Sequence, residues 1–219
     1  MDIVYEDNHL IIINKSAGVL SQSDCTKDLS LVEKVKNYIK TKYQKKGNVF
    51  LGLVNRLDRP TSGLVIFSKT SKSLSRMNKL IKDRKIKKTY YAITENAPLT
   101  KNGTLINYLK KNQAKNKSFV VKKSELKSKK AILHYTLNKN LKKYFLLDII
   151  LETGRHHQIR CQLANIGCVI KGDVKYGAKR ANKDKSICLH AKNIEFIHPT
   201  TKVKISVDAS PPKGNIWLN

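Results

Sequence analysis

VFLGLVNRLDRPTSGLVIFS, residues 49–68, sets two apolar runs, VFLGLV and GLVIF, on either side of Asn55-Arg56-Leu57-Asp58-Arg59-Pro60-Thr61-Ser62-Gly63. Short runs rich in β-branched and aromatic residues, bounded by Asn, Pro, Ser and Gly, read as strands, so the polar segment is the turn between two of them. That turn collects reactive side chains. Arg56 and Arg59 lie close to Asp58 in sequence, and opposite charges keep a carboxylate ionised, fit to act as nucleophile or base. An isolated turn Asp more often only caps the turn, here through the amides of Thr61 or Ser62, and spacing alone does not overturn that role.

Working outward, residues 4–15 form two β-rich runs separated by the turn-prone Asp7-Asn8, with Gly18 closing the unit. Leu31, Val32, Val35, Tyr38 and Ile39 then fall at helical spacing between lysines, and Asp28 or Ser30 is available as the cap. Residues 69–88 hold nine Lys/Arg and one acidic residue, with Leu74, Met77, Leu80 and Ile81 at helical spacing. This predicts a basic amphipathic helix whose polar face could follow a row of phosphates. From Thr89 the chain turns strand-like: TYYAIT, FVV, AILHYTL, YFLLDIIL, ICLHA, IEFI and VKISV. One helix interrupts these strands, with Ile159, Leu163 and Ile166 at i, i+4 and i+7 and Gly167 as its C-terminal cap. The stretch 110–130 has nine lysines and one acidic residue and reads as a mobile basic loop or a β-hairpin.

Two further groupings could carry chemistry. Thr153-Gly154-Arg155-His156-His157-Gln158-Ile159-Arg160 places cations at the start of the predicted helix, where the macrodipole disfavours them. An anion should compensate, either a phosphate on the helix amides or an acidic side chain brought in by the fold; solvated surface arginines are the plainer alternative. Lys88-Thr89-Tyr90-Tyr91-Ala92 puts aromatics beside cations, which suits stacking of an unpaired base, although alternation along a strand would bury one tyrosine and half-expose the other anyway. His156 and His157 are adjacent and should point to different faces, so they make no i, i+4 metal pair, and Cys25, Cys161, Cys168 and Cys188 match no zinc spacing. No metal is implied, and the thiols should be reduced and mostly buried.

The chain has 219 residues, 44 Lys+Arg against 16 Asp+Glu, a formal charge of +28 and an apolar content of 40%, enough for a real core. Such an excess of positive charge points to a polyanion, either nucleic acid or an anionic membrane surface. The membrane reading is the weaker: no run reaches about 18 apolar residues, and MDIVYEDNHL lacks both regions of a signal peptide. A cytoplasmic protein with no membrane partner is expected. Part of the charge reflects lysines used in solvated faces, so charge by itself leaves the partner open.

Asn55-Arg56-Leu57-Asp58-Arg59-Pro60-Thr61-Ser62-Gly63-Leu64 resembles the His-Arg-Leu-Asp-x-x-Thr-Ser-Gly signature of the RluA-type pseudouridine synthase family. Further blocks agree in the family's order. YEDNHLIIINKSAG at 5–18 is similar to its opening motif, and KTYYA at 88–92 to the segment of its active-site tyrosine. LETGRHHQIRCQLANIGCVIKGDVKYG at 151–177 resembles its third motif, and LHAKNIEFIHP at 189–199 its closing one. Asn55 departs from the usual His, but its amide can still donate a hydrogen bond, and Pro60 is a tolerated variant.

The resemblance implies an α+β pseudouridine synthase fold, a largely antiparallel mixed sheet in two lobes with a cleft across the middle. A single catalytic domain over 1–219 is expected, with no separate N-terminal RNA-binding module. The implied reaction isomerises uridine in rRNA or tRNA without a cofactor. Asp58 would be the catalytic carboxylate, acting at base or ribose, and Tyr90 would stack on the extruded uracil. Arg155 would pair with Asp58 as a partly buried ion pair. Arg56, Arg59, Lys88, His157 and Arg160 complete the expected RNA-contacting set, and a monomer is expected. The alternative is a non-catalytic RNA-binding or ribosome-assembly protein that keeps the fold; a basic ribosomal protein would share the charge but not the ordered blocks.

Overall fold

A computed structural model describes residues 1–24 and 28–218, so Cys25 lies outside the described residues. The chain divides into two compact units, residues 1–86 with 191–212, and residues 87–190 with 213–219.

The first unit opens with β1 (Asp2–Glu6) and β2 (Leu10–Lys15), followed by α1 (Leu31–Lys42), β3 (Gly52–Leu53), β4 (Ser62–Ser68) and α2 (Ser71–Lys82). In the second unit come β5 (Lys87–Thr94), β6 (Asn102–Asn112), β7 (Lys117–Val121), β8 (Lys129–Asn140), β9 (Phe145–Leu151) and α3 (Gln158–Asn165). β10 (Leu189–Ile197), from Ala191 onward, and β11 (Lys204–Asp208) complete the first unit, and a short α4 (Asn215–Leu218) belongs to the second.

In the first unit the strand order is β1-β2-β4-β10, with β3 on β4 and β11 on β10. β2 and β4 pair antiparallel from Leu10↔Ser68 to Lys15↔Gly63. Every residue of β4 is buried, which is why its sequence is an unbroken apolar run rather than an alternation. Leu10, Ile12, Leu64, Ile66 and Met77 form the centre of this core, so the basic helix α2 is seated by Met77 while its lysines stay outside. Gly63 has φ +111°, and a Cβ there would lie 2.3 Å from the Ala191 carbonyl oxygen, so only glycine lets β4 come this close.

Of the two candidate caps for α1, Ser30 is the one used. Its hydroxyl accepts from the Glu33 amide, and the Glu33 carboxylate accepts from the Ser30 amide at 2.8 Å, a reciprocal capping box. The VFLGLV run differs from expectation: only Gly52–Leu53 is strand.

In the second unit β5-β9-β8-β6-β7 form a sheet in which every neighbouring pair is antiparallel. β6 had no counterpart in the apolar pattern because its residues are half exposed and include three Asn and two Lys. It carries the Lys-rich stretch into a β-hairpin with β7, so the hairpin alternative holds for residues 110–121. The ICLHA and IEFI runs fall at and within the single strand β10. Cys161, Cys168 and Cys188 are buried free thiols, as expected of reduced cysteines.

Glu6 ties these elements of the first unit together. Its carboxylate accepts from Tyr38, Lys42 and Tyr43 of the α1 region and from Lys69 after β4, all between 2.8 and 2.9 Å. Burial pushes this carboxyl up, but the four donors outweigh it and hold Glu6 at about 2. A depressed acid binds fewer protons folded than unfolded, so its stabilisation is full above about 4.5 and disappears as pH falls toward 2. Glu6→Gln should therefore lower stability at neutral pH by about 1–2 kcal/mol, allowing for the screening of exposed Lys42. It should also flatten the acid limb of a melting-temperature series between pH 4.5 and 2; a limb as steep as wild type would remove Glu6 from this role.

Candidate active site

In the first unit, the signature loop leaves β3 and returns as β4, and its ends are fixed by one side chain. Asn55 Oδ1 accepts from the Ile66 amide at 2.8 Å and its Nδ2 donates to the Leu64 carbonyl at 3.2 Å. The amide thus extends pairing to β4 past the end of the short β3, a role that an Asn fills by offering both donor and acceptor.

The loop itself rests on the opening motif. Ser21 Oγ donates to the Leu57 carbonyl at 2.8 Å and accepts from the Leu57 amide at 3.1 Å. The Gly18 amide donates to the Arg59 carbonyl at 2.8 Å. Lys15, only 1% exposed, donates from Nζ to the carbonyls of Ser16, Val19 and Arg59 at 3.1, 2.9 and 3.4 Å. Burial pulls the Lys15 ammonium down to about 8, and the nearby Asp58 carboxylate partly offsets this. Lys15 was missed in the sequence, although a lone Lys closing the run LIIIN was the available signal.

Asp58 is half-buried at the turn, and its carbonyl accepts from the Thr61 amide at 3.0 Å. Arg56 is exposed. Arg59 is exposed too, but its Nε donates to the Gly18 carbonyl at 3.0 Å and its Nη2 to Asp28 at 2.7 Å. Asp28, the other candidate cap, is thus the partner of a loop arginine.

The second unit holds the other candidate residues. Tyr90 is 7% exposed on β5, opposite Ile149 of β9, while Tyr91 is half-buried on the other face. The loop after β9 runs 152–157, and α3 begins at Gln158, later than expected, because His157 at its start adopts φ +51°. Two expectations are corrected by that geometry. Arg155 lies before the helix and is exposed rather than partly buried, with its Nε on the Lys130 carbonyl at 2.9 Å. His156 and His157 do not diverge: the left-handed residue stacks their rings at 3.8 Å.

The cation in the first turn of α3 is Arg160, 5% exposed, and the anion that compensates it is Asp173, held by Nε at 2.7 Å and Nη2 at 2.8 Å. Arg160 Nη1 also donates to His157 Nε2 at 3.1 Å. The neutral His157 ring must then carry its proton on Nδ1, which faces the Tyr176 hydroxyl at 3.1 Å. That hydroxyl accepts from the Ser118 amide at 2.9 Å and donates to the Ser118 carbonyl at 3.2 Å. The Lys-rich hairpin is thereby fastened to the third motif through β7. Among the described residues no group of His, Cys, Asp and Glu could hold a metal, and no helix is long and apolar enough to cross a membrane.

Comparison with known proteins agrees with this geometry. A family model described as RNA pseudouridylate synthase matches residues 9–165. The chain is 35% identical over 215 residues to ribosomal large subunit pseudouridine synthase C of Buchnera aphidicola subsp. Baizongia pistaciae, covering 94% of this chain and 66% of that one. It is 31% identical over 223 residues to ribosomal large subunit pseudouridine synthase D of Zymomonas mobilis, covering 97% and 70%. The chain thus spans about two thirds of the length of these curated relatives. The solved structure of human RNA pseudouridylate synthase domain containing 4 superposes with a TM-score of 0.80 at 20% identity, over 99% of this chain and 90% of that one, a likeness of fold. The chain belongs to the RNA pseudouridylate synthase family.

The network around Tyr176 allows a direct test. Tyr176→Phe keeps the ring but leaves the buried Ser118 amide and His157 Nδ1 without their hydroxyl, which should cost about 2 kcal/mol in urea unfolding. Wild-type stability in this variant would show that the hydroxyl does not fasten the hairpin.

Proposed function

We propose that this chain isomerises specific uridines to pseudouridine in structured RNA, rRNA or tRNA, with Asp58 as the catalytic carboxylate. The observation that carries the proposal is the placement of Asp58: a half-buried carboxylate on a loop held from beneath by Lys15 and Ser21, inside the region matched by the family. A carboxylate that must meet one nucleoside atom benefits from such a rigid support.

In the proposed reaction the uridine leaves its stack, at a cost of a few kcal/mol that is lowest in loops and bulges. Tyr90 stacks on the uracil. Asp58 attacks the nucleoside or takes a proton from it, the glycosidic bond breaks, the uracil turns, and carbon 5 bonds to the same ribose; carbon 5 then loses its proton, nitrogen 1 gains one, and Asp58 leaves as the carboxylate it began as. Atoms balance within the nucleotide, so no cofactor enters. Exposed Arg56 and the lysines of α2 and the β6–β7 hairpin contact flanking phosphates. A monomer working in the cytoplasm is the simplest setting for these contacts.

Asp58→Asn is isosteric and removes only the charge. It should abolish pseudouridine formation, read by mapping total RNA with and without the active gene, while RNA affinity stays near wild type and the melting temperature falls only by what the buried Lys15 loses with the carboxylate's field. Turnover close to wild type would take Asp58 out of the reaction and favour the non-catalytic reading of the fold.

A further inference from the structure

Lys88 sits on β5 two residues before Tyr90, and side chains two apart on a strand share a face. Its Nζ lies 3.6 Å from where a side chain on Gly154 would begin. Burial lowers the Lys88 ammonium below its ordinary value, and no carboxylate interaction offsets that. Among the described residues no hydrogen bond or ion pair is made by the Lys88 ammonium, an unfavourable state for a half-buried cation unless an anion arrives from outside.

The next residue supplies a second cation. Arg155 is exposed, and its Nε is fixed on the Lys130 carbonyl. Its amide donates to Gln158 Oε1 at 3.0 Å, and Thr153 Oγ1 donates to the same oxygen at 2.8 Å, so the loop that presents Gly154 is braced from inside. The absence of a side chain at Gly154 lets the ammonium lie directly against this loop, next to the residue that carries the guanidinium.

The geometry points to Lys88, Gly154 and Arg155 as a subsite for one RNA phosphate, adjacent to the uridine that Tyr90 is proposed to stack on. This rests on the proposed reading of Tyr90. Two residues of strand span about 7 Å, a distance that a nucleotide bridges between its base and a neighbouring phosphate. An ammonium and a planar guanidinium fork can each donate to the two unbridged oxygens of a phosphodiester, whose negative charge either cation attracts. Arg155 then serves the RNA backbone.

The test uses the full chain carrying Asp58→Asn, so that no turnover alters the probe, and a fluorescent RNA hairpin with uridines in its loop. Lys88→Met and Arg155→Gln should each weaken binding about tenfold and lower the slope of log affinity against log salt by about 0.7–0.9. Lys88→Met should melt at or above the parent temperature, because it removes a half-buried charge that has no protein partner. Unchanged slopes in both variants would overturn the subsite, as would a fall in melting temperature that accompanies the loss of affinity. So would an Arg155→Gln variant, made with Asp58 intact, that loses turnover while keeping affinity and slope, since the cation would then act at the reaction centre. Turnover by Asp58→Asn alone would refute the proposed reaction and leave these slopes to be judged by themselves.

Discussion

The Lys15 ammonium holds the rest of the first unit's site in place. Buried at the end of β2, it gathers three carbonyls from two separate segments, residues 16–19 and Arg59. A buried cation without such acceptors would cost several kcal/mol, so the backbone has little freedom to move away from it. The loop bearing Asp58 is thereby attached to the strand beside it, and the field of Asp58 in turn makes the buried charge less costly. Asn55 performs the corresponding task at the other side of the loop by bonding to β4 on both its amide oxygen and nitrogen.

The second unit solves a similar problem with a different set of groups. Arg160 is almost completely buried, and its guanidinium donates to both oxygens of Asp173 and to His157. Because arginine only donates, it dictates which nitrogen of His157 carries the proton, and the chain of polarity continues through Tyr176 to Ser118. His157 and Arg160 are thus tied into the third motif, whereas Arg155 is exposed.

This division also gives meaning to the charge of +28. The buried cations Lys15 and Arg160 are answered by carbonyls and by a carboxylate respectively, while the lysines of α2, Lys72, Lys79 and Lys82, and those of the loop after the β6–β7 hairpin, Lys122, Lys123 and Lys127, are exposed. Surface cations in such excess repel one another, and a phosphate backbone relieves that repulsion while releasing its own counterions.

Much was legible in the sequence by itself because the signals were local. The order of the motifs, the turn that carries Asp58, the period of α1 and α2 and the Gly167 stop after α3 each depend on a few neighbouring residues. The weakly patterned β6 was not legible, since half-exposed strands tolerate Asn and Lys and are recognised only through their partners. Which arginine of the third motif would be buried was likewise undecided by spacing. That outcome depended on a left-handed His157, which delays the helix, and on Asp173, thirteen residues from Arg160, arriving at its guanidinium. Lys15 shows the same limit: a lysine after four apolar residues and an Asn looks like the end of a strand, and only the carbonyls folded around it make it the fastening of the loop. Periodicity and turn chemistry act over a few residues, whereas burial of a charge is decided by groups that tertiary packing brings from far along the chain.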